Sequence, residues 1–555
     1  MKIRKLCIFL GLGVLLMGCS GNENNIDLKI TSEDKVTPTD TNLDYVDYGD
    51  NSNLNFKYDT TKWYRNDLKL HLPDPCIYEE DGIYYIYGTT DRTGAQTIDC
   101  YTTTDFTNYK IYQDVFKPKS NEWGQSSLFA PEIYKINGKY YMYFCAKNGK
   151  DGVNTGLMVA TCDTPNGKFE LYVGNDADGN LVDSTKGATI RDKFRPNIGI
   201  LDQTLLIDGD DIYMYYSIYD SGIMQYIVGV KMKDPVTPDW ETYKILLRPG
   251  SLTADDEFSK TLTWECYQNF KVAEGPQVTK TPEGKYMMSY SVNHYPDVYY
   301  SVCYAMSDTP LGTYVKPYDK NTDWSNLLFG YAGTKVGTVY EQWQGFMGGT
   351  GHHFIFKSGD QYMIAYHAFA NRMNIDGGRA VAIDYLYFDE NGNPYVHGPS
   401  YSIQPLPEAI SGYKNISLDA TIAGENVKNV GRLNDNFIVE HYQLKQEQNK
   451  EASFGAGKSF IKLKFDKSYE VGGIAIYNSA QYEKIIQNIS FIKLGNDNNI
   501  IDGKFLKSYI NHQTEFVFPD SAFNFTFDNV ETEEIVIGFE SDEEFQLNEI
   551  VILGQ

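Results

Sequence analysis

Basic residues are in short supply in this 555-residue chain: 49 lysines and arginines stand against 74 aspartates and glutamates, for a net charge of -25. A field of that sign repels phosphate backbones and excludes nucleic acid as a natural partner. Long apolar runs are scarce as well. Residues 6–17 form an apolar stretch of twelve, too short for a bilayer-crossing helix, which needs ~20. Cysteine is sparse, with eight residues and no CxxC pair, so neither a zinc ribbon nor a dithiol redox motif is present. Cys7 and Cys19 fall in the N-terminal leader. The other six (Cys76, Cys100, Cys145, Cys162, Cys266 and Cys303) lie largely in apolar or aromatic runs, where buried thiols are as good a reading as disulfides. Hydrophobic residues at 42 % and charged residues at 22 % exclude collagen, coiled coil and wholesale disorder.

Aromatic residues, by contrast, are abundant: Tyr 45, Phe 29 and Trp 6 make up 14 % of the chain. Tyrosine pairs a flat apolar face with a polar tip, which suits β-sheets and the stacking of sugar rings. The length is too great for one core and predicts two or three domains. At the N-terminus Lys2, Arg4 and Lys5 precede the apolar run, which ends in Leu16-Met17-Gly18-Cys19. That order of basic, apolar and small residues before a cysteine resembles a bacterial lipobox. It predicts a leader over 1–18, lipid on Cys19 and a flexible tether over 19–65, rich in Asn, Asp and Thr. The expectation is an exported protein of the cell envelope, held on a membrane by lipid rather than by a span.

Internal repetition is the most informative feature. Asp74-Pro75-Cys76-Ile77-Tyr78, a turn at Asp81-Gly82 and Ile83-Tyr84-Tyr85-Ile86-Tyr87 form the first copy of a strand–turn–strand unit. Further copies open at Ala130, Asp202, Glu274 and Gly351, with turns at Asn137-Gly138, Asp208-Gly209-Asp210, Glu283-Gly284 and Ser358-Gly359. Asn-Gly and Asp-Gly supply the positive φ of tight hairpin turns, and the β-branched and aromatic flanks favour strands. The copies start 56, 72, 72 and 77 residues apart, which leaves room for two more strands in each unit. Radial repetition of four-stranded units predicts an all-β fold, a β-propeller with five blades over 66–408. The innermost strands would then bring Asp74, Glu132, Asp202, Glu274 and the Gly351-His352 pair to the central channel. Three carboxylates heading repeated blades repel one another, which points to chemistry rather than to turns.

These motifs resemble glycoside hydrolase family 43, five-bladed propeller glycosidases acting on arabinose- and xylose-containing polysaccharides. The resemblance rests on Asp74-Pro75, Phe129-Ala130-Pro131-Glu132, Asp202, Glu274-Gly275-Pro276, Gly349-Thr350-Gly351-His352 and Gly378-Arg379, in that order. It implies Asp74 as general base, Glu274 as general acid and Asp202 as the carboxylate that tunes and orients the acid. Inverting hydrolysis needs one carboxylate to activate water and one acid for the leaving oxygen, roughly 6.5–9.5 Å apart. A neighbouring carboxylate would keep the acid protonated near neutral pH. The resemblance further implies Arg379, Phe129 and His352 as substrate-binding residues, with calcium held through water at His352 as an optional ion and no required cofactor. Phe129 stands where many members carry tryptophan, and Gln203 follows Asp202 where proline is usual. Glu132 reads as a structural partner, and His367 as a residue beneath the site or in the core. Trp264, Glu265, Tyr267 and Asn293-His294-Tyr295 read as rim.

After Pro405-Leu406-Pro407 the repeat stops. Alternating runs such as Phe460-Ile461-Lys462-Leu463-Lys464-Phe465 predict an antiparallel β-sandwich over 409–555. Arg432-Leu433-Asn434-Asp435 and Leu547-Asn548-Glu549-Ile550 loosely resemble the galactose-binding-like jelly roll, yet no Trp occurs there to form a sugar platform. The sequence thus predicts a monomeric, lipid-anchored inverting glycosidase. An α-L-arabinofuranosidase comes first, followed by a β-xylosidase, an endo-arabinanase or a non-catalytic carbohydrate-binding propeller.

Overall fold

A computed structural model describes residues 59–555 except 67, 69, 148–154, 221–223, 257–260, 298, 322–323, 331–347, 370–377, 401–402, 439–449, 482–483, 485, 487–488, 496–499 and 503–521. The leader, Cys19 and nearly all of the tether lie outside the described residues. Five antiparallel four-stranded sheets follow one another along the chain, each in simple sequence order. Their first strands are Cys76–Glu80, Ser126–Ile136, Gly199–Asp208, Ala273–Lys280 and Gly348–Ser358. These strands neighbour one another around a ring, the first against both second and fifth, so the sheets are the blades of a five-bladed propeller. The hairpin turns form for the expected reason. Asp81 and Gly82 take φ of 54° and 75°, and Asn137 and Gly138 take 50° and 79°, the two positive values of a type I′ turn.

Apolar side chains fill the seams between blades. One core lies between blades one and two, one between two and three, and one between three and four. Another joins blade one to blade five. Closure of the ring is made by the residues that precede blade one. Leu68 donates to the Val381 carbonyl and Val381 to the Leu70 carbonyl, both at 2.9 Å. The Asn66 side chain brackets Ile383, accepting from its N–H at 2.9 Å and donating to its carbonyl at 2.7 Å. Trp63–Arg65 pairs with Ile403–Pro405, so both ends of the propeller are clasped together.

The remaining strands, from Lys414–Asn415 to Phe545–Gly554, form the second domain. In keeping with the antiparallel β domain that the alternating runs predict, hydrogen bonds join its nine strands among the described residues into one antiparallel path. The reason is the 22-residue strand Gly457–Asn478. Its first part lies between Thr421–Glu425 and Ala522–Ser541; after register shifts near Lys464 and Val471 it lies between Ala522–Ser541 and Phe545–Gly554. Burial alternates in the first part and becomes continuous from Val471 onward, because propeller residues cover the second face. Trp63 reaches across, donating from Nε1 to Thr526 Oγ1 at 2.6 Å, and a Cβ on Gly473 would lie 2.7 Å from its ring. Tyr477 donates to Gln404 Oε1 at 2.6 Å. The seam between blades four and five and the interior of the second domain are therefore one continuous core.

The described cysteines are free thiols, four of them buried. Because the second domain has no separate interior, the two domains are expected to melt in one calorimetric transition. Trp63→Ala should cost roughly 3–5 kcal/mol, as for a large aromatic removed from a core, and split that transition in two.

Candidate active site

The channel end is built by one backbone event repeated in each blade. At the head of each inner strand one residue turns into the left-handed region: Asp74 (φ 55°), Ala130 (48°), Asp202 (57°), Gly275 (54°) and His352 (44°). In blades two to five the strand pairing skips at that point, the mark of a bulge that re-aims a side chain. This corrects the alignment of the repeats. Gly275 and His352, not Glu274 and Gly351, are the equivalents of Asp74. Glu274 comes one residue early, and a slip of one residue on a strand turns the side chain to the other face.

Asp74 is buried, with its carboxylate held from several sides. Thr89 donates to Oδ2 at 2.5 Å. Oδ1 lies 3.3 Å from an Arg379 guanidinium nitrogen and 3.4 Å from Nδ1 of both His352 and His367. Burial works against ionisation, but His352, Arg379 and His367 together hold this carboxyl well below the usual carboxylate range. The backbone N–H of Asp74 also points at His367 Nδ1, at 3.3 Å. Burial lowers the pKa of His367 to about 4, so its ring is neutral.

Glu274 has the opposite character. Its Oε1 accepts from Tyr300 at 2.8 Å and its Oε2 from Gln225 at 2.6 Å. Burial raises its pKa to about 7 against those two hydrogen bonds, and the charge of Asp74 adds to the rise. The Tyr300 ring also stacks on His367, centroids 5.7 Å apart and 12° from parallel, so one aromatic pair links the two carboxyl sites. Tyr300 can reach Glu274 because residue 351 is glycine; a Cβ there would lie 2.2 Å from the tyrosine ring.

Asp202 accepts from the Gly275 N–H at 3.2 Å and so holds the backbone beside Glu274. Its pKa is pushed well up by burial, then by the charges of Glu274 and Asp74. Glu132, also buried, is bonded to Tyr134 and raised to about 8 by burial. Among the described residues no set of three or more His, Cys, Asp or Glu side chains is arranged to hold a metal ion. His352 turns its Nδ1 toward Asp74 Oδ1 at 3.4 Å.

A cleft of about 630 Å³ opens beside Glu274, lined by Phe129, Tyr219, Gln225, Phe270, His294 and Tyr295 among others. Its far wall rests on a buried ion pair, Lys316 Nζ to Glu265 Oε2 at 2.5 Å. Glu265 also accepts from Gly250 N–H, Tyr290 and Asn326, at 2.6–2.7 Å. The 3-10 turn Thr263–Asn269 that carries Glu265 is tied to the Asn293 side chain through Tyr267 N–H and the Trp264 carbonyl. Sequence reasoning found Asp74, Asp202, Glu274, Arg379, His352 and Phe129, and the structure gathers them. Tyr300, Gln225 and Thr89 were missed. Each is an ordinary polar residue whose role comes only from packing, and no motif marks it.

Four converging carboxyl groups in a propeller channel, with their proton affinities driven apart, define the general class of an acid–base hydrolase. The family is settled by comparison. The profile of Glycosyl hydrolases family 43 matches residues 68–394, and the chain belongs to that family. It is 25 % identical over 326 residues to a xylosidase/arabinosidase of Thermoclostridium stercorarium, covering 54 % of this chain and 59 % of that protein. It is 23 % identical over 352 residues to a xylosidase/arabinosidase of Bacteroides ovatus, covering 58 % and 93 %. Among solved structures, an endo-1,4-beta-xylanase of Bacteroides thetaiotaomicron is 26 % identical with TM-score 0.45, covering 61 % of this chain and 98 % of that one.

Lys316→Met would leave the Glu265 carboxylate buried without its cation. A loss of roughly 3–5 kcal/mol is expected, read from denaturant unfolding. Replacing both residues, Lys316→Met with Glu265→Leu, should recover much of it.

Proposed function

We propose that the protein is an inverting glycosidase that removes pentose units, α-L-arabinofuranosyl first among them, from arabinose- or xylose-containing polysaccharides. Asp74 activates water, Glu274 protonates the leaving oxygen, and Asp202 orients the acid through the Gly275 backbone and shares its proton balance. Arg379 offers paired donors to sugar hydroxyls beside Asp74. The observation that carries this reading is the split between two carboxyls in one channel: Asp74 held low by its cationic and imidazole neighbours, Glu274 raised to about 7 by burial. Such a split assigns base and acid. The names of the relatives support a pentose-containing substrate, xylosidase/arabinosidase in two cases and an endo-arabinanase from Bacillus subtilis in a third. We propose further that the leader anchors the enzyme through lipid on Cys19. Replacing it, Cys19→Ser, should release the protein from the membrane fraction on cell disruption.

The first test is release of 4-nitrophenol from the α-L-arabinofuranoside and the β-D-xyloside, with the product anomer read by NMR at early times. Inversion is expected, and retention would exclude the mechanism. The base must be ionised and the acid protonated, so kcat/KM should fall below the usual carboxylate range on the acid side. On the alkaline side it should fall as pH rises through about 7. Glu274→Gln should abolish the alkaline limb and lower turnover of natural linkages by about 10²–10⁴-fold. The loss should be smaller for 4-nitrophenyl glycosides, whose leaving group hardly needs a proton. Asp74→Ala should lose turnover whatever the leaving group, and azide, which needs no base, should restore it as the glycosyl azide.

A further inference from the structure

We infer that the cleft beside Glu274 is the subsite for the leaving part of a polymeric substrate, and that Phe270, His294 and Tyr295 are the platform on which its sugar units stack. This rests on the reading of Glu274 as the acid, since the group that protonates the leaving oxygen must face the departing chain. Glu274 lines the cleft and Asp74 does not, so the space extends from the acid's side of the reaction centre.

Three observations point to sugar as the occupant. The rings form a row that starts at the reaction centre. The Arg379 guanidinium, which contacts Asp74, lies 5.0 Å over the Tyr295 ring; Tyr295 is followed by His294 at 5.5 Å and Phe270 at 4.5 Å, the last pair only 3° from parallel. The ends of the row are exposed, Tyr295 to 49 % and Phe270 to 36 %, although most aromatic rings among the described residues are buried. Exposed contiguous aromatic surface beside a reaction centre marks a binding face. Finally, the row is held rigidly. The Asn293 side chain, at the base of its loop, donates to the Trp264 and Tyr299 carbonyls at 3.1 Å and accepts from Tyr267 N–H, above the Glu265–Lys316 pair. A pre-formed platform spares the ordering cost of binding, which suits flat, weakly held sugar faces. Tyr219 on blade three, 47 % exposed, lines the same cleft. At about 630 Å³ the cleft is of the size that accepts ligands larger than a single small ring.

The test compares kcat/KM on arabinoxylan and arabinan with kcat/KM on the 4-nitrophenyl pentosides, for wild type, Phe270→Ala and Tyr295→Ala. Each ring is expected to lower the ratio of polymer to aryl-glycoside activity by about 2- to 12-fold. The loss should appear in KM. Equal losses on both substrates, or none on polymer, would overturn the platform. A second measurement needs no turnover: retardation of the Glu274→Gln protein in gels containing each polysaccharide, with and without Phe270→Ala. Loss of retardation in the double variant supports the platform, and unchanged retardation refutes it. Wild-type protein that is retarded through Phe270 yet cleaves no pentoside would leave the platform standing and remove the proposed activity instead.

Discussion

One backbone constraint organises the centre of this molecule. At the head of every inner strand a residue enters the left-handed region, and in blades two to five the ladder skips to accommodate it. For a residue with a Cβ this costs roughly 1–3 kcal/mol each time. Aspartate and glycine tolerate it best, and Asp74, Asp202 and Gly275 occupy three of the five positions. The bulge turns a side chain that would otherwise lie along the blade toward the channel end. Selection for the conformation and for the chemistry thus falls on the same residues.

That geometry crowds carboxyl groups where they repel. Asp74, Glu132, Asp202 and Glu274 are all drawn into low-dielectric surroundings, and burial raises the proton affinity of each. Only Asp74 has enough compensation to ionise readily, from Arg379, His352, His367 and the Thr89 hydroxyl. With one anion settled, its charge helps keep protons on the other side of the channel. Base and acid are therefore not two independently tuned groups. Removing the Arg379 charge would raise Asp74 directly, and it would also withdraw a cation that now lowers Glu274.

The hairpins were legible because Asp-Gly and Asn-Gly leave few other turns open, and five copies at blade spacing made the propeller readable before any contact was known. The carboxylates were legible for the same reason, each lying at a fixed place in a repeated unit. The one-residue offset of Glu274 was masked by matching acid to acid: Pro75, Pro131 and Pro276 each follow the left-handed residue, and aligning those prolines makes Gly275 the equivalent of Asp74. Tyr300 is one of 45 tyrosines, and nothing local separates it from those that fill seams. The ring closure by Asn66, Leu68 and Leu70 falls at the start of the predicted propeller but ahead of the first repeated unit at Asp74, so no repeat marks it.

The merged core explains why a second domain without tryptophan belongs to this chain. Glu274 and Tyr300 come from blade four; His352, His367 and Arg379 come from blade five. The Tyr300–His367 stack therefore crosses the seam between those blades, and a small sliding there would separate acid from base. Catalytic constellations lose function when displaced by more than about 0.5 Å. An open seam faced by solvent would be the softest place in the ring. Here its apolar filling continues into the second domain through Trp63, Ile474, Tyr477 and Phe525. Moving blade five against blade four would then require repacking an interior shared by both domains. On this argument the shared core lets the second domain brace the seam across which the site is assembled.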